Sequence, residues 1–263
     1  MWPRHENTGP MIAKLFRSRR ASPSKPNVPP GERVYAVGDV HGRLDLLDEL
    51  LARIDADAAA RGPAVTTLVF LGDLVDRGPD SAGVVQRLRE VAAERAVRLV
   101  TGNHEEVFLA AVAGDAKALR LFCRIGGRET ALSYRIDAQA FERADYPELG
   151  AMLAERVPAE DRAFIGGFED MAVIGDYAFV HAGVDPGRPL ADQSIKDLRW
   201  IRERFLHHRG GALEKMVVHG HTPSDDVEFC PHRIGIDTGA YATGRLTALG
   251  LERDDRWLVQ TGS

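Results

Sequence analysis

Five short stretches hold most of the residues able to bind metals or move protons: GDVHG (38–42), GDLVDRG (72–78), GNHE (102–105), HAG (181–183) and HGHT (219–222). Each joins a glycine to Asp, Asn or His. Carboxylates, an amide oxygen and imidazoles brought to one point make a site for divalent cations, and their number suits two ions. In GDVHG the i, i+2 spacing lets Asp39 and His41 reach one ion after a tight turn, with Gly38 and Gly42 permitting close backbone approach. A carboxylate shared by two ions must lie between them, and Asp73, which opens GDLVDRG, is the natural candidate. Asn103 offers a neutral amide oxygen; His181 and His221 offer imidazoles. Taken singly, each has an ordinary alternative, since an Asp before a helix is commonly an N-cap and a lone His a core or surface residue. Five such stretches in succession, each at a strand end, make that alternative a poor account of the set.

The elements that must position these groups are written in the flanking residues. Four stretches follow directly on apolar, β-branched runs at 33–37, 66–71, 179–180 and 216–218; GNHE follows the run at 97–100 after Thr101. Strand, glycine, ligand-type side chain is how an α/β sheet presents groups at the carboxyl ends of its strands. Helical spacing of Leu44, Leu47, Leu50, Leu51 and Ile54 predicts a helix over 44–60. Val84, Val85, Leu88 and Val91 predict another over 81–95 behind the N-cap candidate Asp80. A third helix is expected from His104 or just after it to about Ala113. Residues 115–165, with Gly126-Gly127, read as a helical excursion over the strand ends. The last third reads as short strands at 172–174, 177–180, 215–218, 227–230, 233–236, 245–251 and 256–260. The expected fold is α/β, with two facing βαβ-type sheets and helices outside.

At 263 residues and 44% hydrophobic content, the chain can bury one large core. No apolar stretch approaches a membrane span and no secretory h-region follows the start, so a cytoplasmic protein without an integral membrane segment is expected. With Cys123 and Cys230 alone there is no disulfide framework; both read as buried small hydrophobes. Residues 1–30 carry six basic groups (Arg4, Lys14, Arg17, Arg19, Arg20, Lys25) against Glu6, leaving 28 basic and 38 acidic residues in the body. An acidic body argues against nucleic-acid binding and suits a cation site. The Pro/Ser-rich composition of 21–31 predicts a disordered basic leader and linker over 1–30, with the folded domain at 31–263. A short amphipathic helix over 11–20 is the alternative there.

The ordered set GDxHG, GDxxDRG, GNHE, HAG and GHT resembles the calcineurin-like metallophosphoesterase superfamily. Within it, the chain is most similar to the phosphoprotein phosphatase family and its bacterial and phage lambda-type serine/threonine phosphatases. The resemblance spans roughly Arg33 to Leu251 and includes Trp200 to Arg204, Gly126-Gly127 and Ile236 to Ala240. It implies a four-layer α/β/β/α sandwich of two mixed sheets with a helical cap over about 115–165. It also implies two divalent metal ions, with Mn, Fe, Zn and Co as candidates, the first on Asp39, His41 and Asp73 and the second on Asp73, Asn103, His181 and His221. The superfamily's GHxH has its second histidine replaced here by Pro223. His219 is read as standing behind the ligands or on the substrate side, Asp237 as orienting a ligand histidine or capping a strand end, and His5, His207, His208 and His232 as solvated.

The reaction so implied is phosphomonoester hydrolysis by in-line attack of a hydroxide shared by the two ions, on phosphoserine or phosphothreonine in proteins or on a small phosphate ester. Arg77 and Arg202 bind the phosphate together with Asn103, and His104, oriented by Asp76, protonates the leaving alkoxide. One departure stands out. Lambda-type enzymes carry an arginine directly before GNHE, where this chain has Thr101, so a two-pronged charged contact is lost. Either Arg128 replaces it from the overlying segment or the phosphate is held less tightly. The alternative function is hydrolysis of dinucleoside polyphosphates of the diadenosine tetraphosphate type. Asp76 and the glutamate of GNHE lean to the phosphatase side, and the complete ligand set argues against a catalytically silent binding module.

Overall fold

The computed structural model describes residues 25–262. Strand β1 (Glu32–Val37) pairs in parallel with β2 (Val65–Phe70), and β2 with β3 (Val97–Leu99); α1 (Leu44–Arg61) and α2 (Ser81–Glu94) make the crossovers. Helix α1 buries Leu46, Leu47, Leu50, Leu51 and Ile54 on one face and ends at Gly62, whose φ of 85° an L side chain rarely adopts. Full burial of each such leucine contributes about 1.5–3 kcal/mol. Helix α2 starts as expected, with the Asp80 carboxylate accepting the Gly83 amide.

The chain continues through α3 (Asn103–Val112), α4 (Ala116–Ile125), α5 (Gly127–Ser133), α6 (Ala138–Arg143), α7 (Tyr146–Arg156) and α8 (Ala159–Gly166). It then forms β4 (Met171–Ile174), β5 (Tyr177–Val180), α9 (Ile195–Trp200), α10 (Glu203–Leu206), β6 (Met216–His219), β7 (Glu228–Phe229), β8 (Arg233–Gly235), α11 (Ala240–Thr243), β9 (Thr247–Glu252) and β10 (Asp255–Gln260). The strand orders are β10-β9-β1-β2-β3 and β4-β5-β6-β8-β7. In the second sheet β5, β6 and β8 are parallel, and β4 and β7 are antiparallel edges.

Period-two alternation assigns the layers. Val34 and Ala36 of β1 point between the sheets, into a core with Phe179, Val218, Ile234 and Leu249; Tyr35 and Val37 point outward under α1 and α2. Leu198 and Phe205 of α9 and α10 cover the outer face of the second sheet. The two mixed sheets flanked by helices are therefore those expected. Helices α9, α10 and α11 were not, and the strand expected over 227–230 shrinks to two residues.

The excursion over 115–165 is helical, as expected. It packs chiefly on α2 and α3, around Phe108, Phe122, Leu149 and Leu153, with Phe122 and Tyr134 stacked against Phe108. Its α4–α5 corner reaches the strand ends, where Gly126 O accepts the Arg77 amide.

The leader boundary needs correction. Residues 25–30 belong to the folded body. Val28 is fully buried in the inter-sheet core and its amide donates to Arg253 O; Asn27 bonds the Asp176 carboxylate; Tyr177 Oη donates to Pro26 O. One valine in an otherwise polar, proline-rich run suffices because it closes the end of the space between the sheets. The remainder of the predicted leader, including 11–20, lies outside the described residues. Among the described residues, no helix is long and apolar enough to cross a membrane.

Candidate metal centre

The parallel strands of both sheets end at one edge of the sandwich, and the five motifs meet there. Asp39 and His41 follow β1, Asp73 follows β2, Asn103 and His104 open α3, His181 follows β5 and His221 follows β6. Asp73 is common to two buried groups: His41, Asp73 and His104, and Asp73, His181 and His221. Its Oδ2 lies 3.6 Å from His41 Nε2 and 3.7 Å from His104 Nε2; its Oδ1 lies 3.3 Å from His181 Nε2. Asn103 Oδ1 is 2.9 Å and His221 Nδ1 3.0 Å from that same His181 Nε2. Asp39 stands beside both groups, its carboxylate accepting the His221 amide at 3.0 Å.

The backbone here is strained. Seven described non-glycine residues have positive φ, and five belong to this edge: His41 (46°), Asp73 (49°), Asp76 (72°), Arg77 (68°) and His221 (66°). Such conformations cost about 1–3 kcal/mol each and persist only where the surroundings over-determine them. The main device is Glu105, to which the sequence pattern assigned no role. Its buried carboxylate accepts the amides of Asp73 (2.8 Å), Leu74 (2.8 Å), Val75 (3.3 Å) and Gly102 (2.9 Å). Asp76 N donates to Ser81 Oγ and Thr130 Oγ1, His41 N to Asp73 O and Arg77 N to Gly126 O. Two glycines are sterically required: a Cβ on Gly102 would strike the Asp73 carboxylate, and one on Gly220 the Asp39 carboxylate.

The donor set fits divalent cations. His41 Nδ1 is paired with Val75 O and His181 Nδ1 with Leu71 O, both at 2.8 Å, which turns each Nε2 lone pair inward. Two ring nitrogens and an amide oxygen then face one another at about 3 Å, the separation of neighbouring ligands that each lie roughly 2.0–2.1 Å from a common ion. His221 Nε2 is buried with no partner. Burial, then Asp237 and Asp73, push the Asp39 carboxyl well above its ordinary range. Burial opposes ionisation of Asp73, but His104, His181 and His41 outweigh it and hold that carboxyl low. Burial brings His41 to about 3, and burial with His181 brings His221 to about 2, so both are neutral at ordinary pH, the form in which an imidazole can bind a cation. For His104 burial is outweighed by Asp73 and Asp76, so its pKa is raised.

Residues 32–255 match the calcineurin-like phosphoesterase family. This chain belongs to that family. Serine/threonine-protein phosphatase 1 of Salmonella typhimurium is 33% identical over 81% of this chain and 89% of its own length. The asymmetrical bis(5'-nucleosyl)-tetraphosphatase of Anoxybacillus flavithermus is 26% identical over 81% of this chain and 88% of its own. The symmetrical enzyme of Yersinia enterocolitica reaches 48% over only 32% of this chain and 26% of its own. Among solved structures, a protein assigned as a diadenosine tetraphosphatase shares the fold at a TM-score of 0.61, with 23% identity over 91% of this chain and all of the other.

Around this phosphoesterase centre the remaining expected residues divide. His104 Nδ1 lies 2.7 Å from Asp76 Oδ2, and Thr130 Oγ1 donates to the other Asp76 oxygen at 2.6 Å. Arg77 Nη1 and Nη2 reach His41 Nε2 (3.0 Å) and His104 Nε2 (3.1 Å). Arg202 is exposed beside the ligand turn, its Nη1 donating to Thr222 Oγ1 at 3.0 Å. Arg128 is not brought to the centre: its guanidinium pairs with Glu129 and Glu142 of the cap. Thr101 is buried, its amide bonded to Glu169 O.

His219 faces away from the ligands, edge-on to Phe205 and 3.3 Å from Arg233, and burial brings it to about 4. Asp237 caps a strand end, its Oδ1 accepting Gly239 N. His232 is buried rather than solvated, because Phe205 and His208 close over it; His207 is exposed, as expected, and His208 half-buried. Cys123 and Cys230 are half-buried free thiols rather than core residues. Glu105 had a signal, since Glu at the third residue of a helix is a capping-box position. Thr130, 54 residues from Asp76, had none. A cavity of about 920 Å³, among Arg89, Arg135 and Asp161, is lined by none of the candidate ligands.

Proposed function

We propose that this protein is a divalent-metal-dependent phosphomonoesterase acting on phosphoserine and phosphothreonine in proteins. The observation that carries this reading is the His104–Asp76 pair. Serine and threonine alkoxides are strong bases and need a proton to leave, whereas the nucleoside phosphate expelled from an anhydride does not. A buried imidazole with one nitrogen held by a buried carboxylate and the other facing Asp73 is built to deliver that proton. Asp73 and Asp76 raise its pKa, which favours the protonated form that can donate.

Asp39, His41 and Asp73 would hold one ion, and Asp73, Asn103, His181 and His221 the other, with Mn, Fe, Zn and Co as candidates. When bound, these cations supply the Lewis acidity that activates an attacking water and neutralises phosphoryl oxygens. Arg77, Arg202 and the Asn103 amide place the phosphate for in-line attack. Arg128 would need to leave its acidic partners to join them.

Dinucleoside polyphosphate hydrolysis is the second reading, favoured by the asymmetrical tetraphosphatase relative that aligns over most of this chain. The test measures a phosphoserine peptide and diadenosine tetraphosphate side by side with Mn²⁺. Higher kcat/KM is expected for the peptide. Cleavage of the dinucleotide with no phosphate release from the peptide would replace the first reading by the second.

A further inference from the structure

A pocket of about 680 Å³ opens on the Arg77 side of the metal centre, with Arg43, Leu44, Arg77, Pro79 and Tyr241 among its walls. Tyr241 is one of the few large apolar side chains left exposed, at 39%. Its ring meets the His41 ring edge to face, with centroids 5.4 Å apart, and lies 4.8 Å from Arg77 Cζ. It is held in place. Gly239 N bonds the Asp237 carboxylate, Thr243 Oγ1 donates to Thr238 O, and Arg43 Nη1 donates to Ala240 O at 3.0 Å. Arg43 is itself gripped by Asp45 through two bonds of 2.7 and 2.8 Å. A ring fixed in this way loses little freedom when something stacks on it.

The other walls point the same way. Leu44 and Pro79 offer apolar contact, and the three carboxylates at the rim are engaged, Asp45 with Arg43, Asp48 with Arg87 and Asp80 with the Gly83 amide. The pocket is therefore suited to an uncharged, flat group adjoining the phosphate. We propose that Tyr241 is a specificity-determining residue, stacking on a planar ring that the substrate carries next to its scissile phosphate. An aromatic side chain beside a phosphorylated residue and a nucleobase share that chemistry. The proposal rests on the reading of Arg77 as a phosphate-binding residue.

The test compares benzyl phosphate with n-butyl phosphate, esters of alcohols of similar acidity, using the full chain with Mn²⁺. The wild type should prefer the benzyl ester by about two- to tenfold in kcat/KM. Tyr241→Phe should keep that ratio, and Tyr241→Ala should bring it to about one, through KM. Tyr241 also braces Arg77, so both esters slow in the alanine variant, and the ratio rather than either rate reports the ring contact. A wild-type ratio near one, or a ratio that survives Tyr241→Ala, overturns the proposal. If neither ester is hydrolysed while diadenosine tetraphosphate is, the phosphomonoesterase reading fails by itself. The ring contact is then decided by diadenosine tetraphosphate against inorganic tripolyphosphate with the same variants, where a preference unchanged in Tyr241→Ala overturns it and a lost preference supports it.

Discussion

His104 and Asn103 are neighbours in sequence at the start of α3, yet they have different tasks because a helix turns successive side chains about 100° apart. Asn103 faces His181, while His104 faces Asp76 and Asp73. If His104 donates the leaving-group proton, His104→Asn should lower kcat for a phosphoserine peptide by about 10²–10⁴-fold. The loss should be far smaller for an aryl phosphate, whose leaving group needs little protonation. Equal losses for the two substrates would assign His104 another task. The ligand candidates were legible because each lies in a contiguous motif after an apolar run. Glu105 gathers four amides, three of them some thirty residues away in another motif, and Tyr241 meets Arg77 from α11, far along the chain. Such contacts depend on tertiary packing, which local spacing does not encode.

Among the elements, strands and long helices were legible for the same reason: β1, β2 and α1 carry enough residues to display a period of 2 or 3.6. Helices α10 and α11 have four residues each, about one turn, too few to show any period. The N-terminal edge of the body failed for another reason, because Val28 among prolines has no periodic partner and its burial is set by a gap between two sheets. Comparing a chain that begins at Lys25 with one that begins at Gly31 isolates this segment. The shorter chain loses the burial of Val28, worth about 2 kcal/mol, and should melt about 4–8 °C lower. Equal Tm values would show that residues 25–30 merely rest on the body.

For the molecule as a whole, the candidate metal centre would also constrain folding, because its candidate ligands come from both sheets and two of their groups share Asp73. Strained backbone at five positions and the crowding of Asp39 and Asp237 beside the charge of Asp73 oppose the fold, and a cation would favour the same arrangement by drawing the donors together. Any species that binds the native chain and not the unfolded one stabilises it by RT ln(1 + [L]/Kd), about 2.7 kcal/mol at a hundredfold excess over Kd. Titrating Mn²⁺ into chelator-treated protein should therefore raise Tm by several degrees while restoring phosphatase activity over the same concentration range. Asp73→Asn should flatten both responses together, since it weakens both ions, whereas Asn103→Ala should shift the Tm curve to higher Mn²⁺ without abolishing it. Full activity in excess chelator, or a Tm that ignores Mn²⁺ in the wild type, would separate this chain from the metal chemistry its ligand set implies.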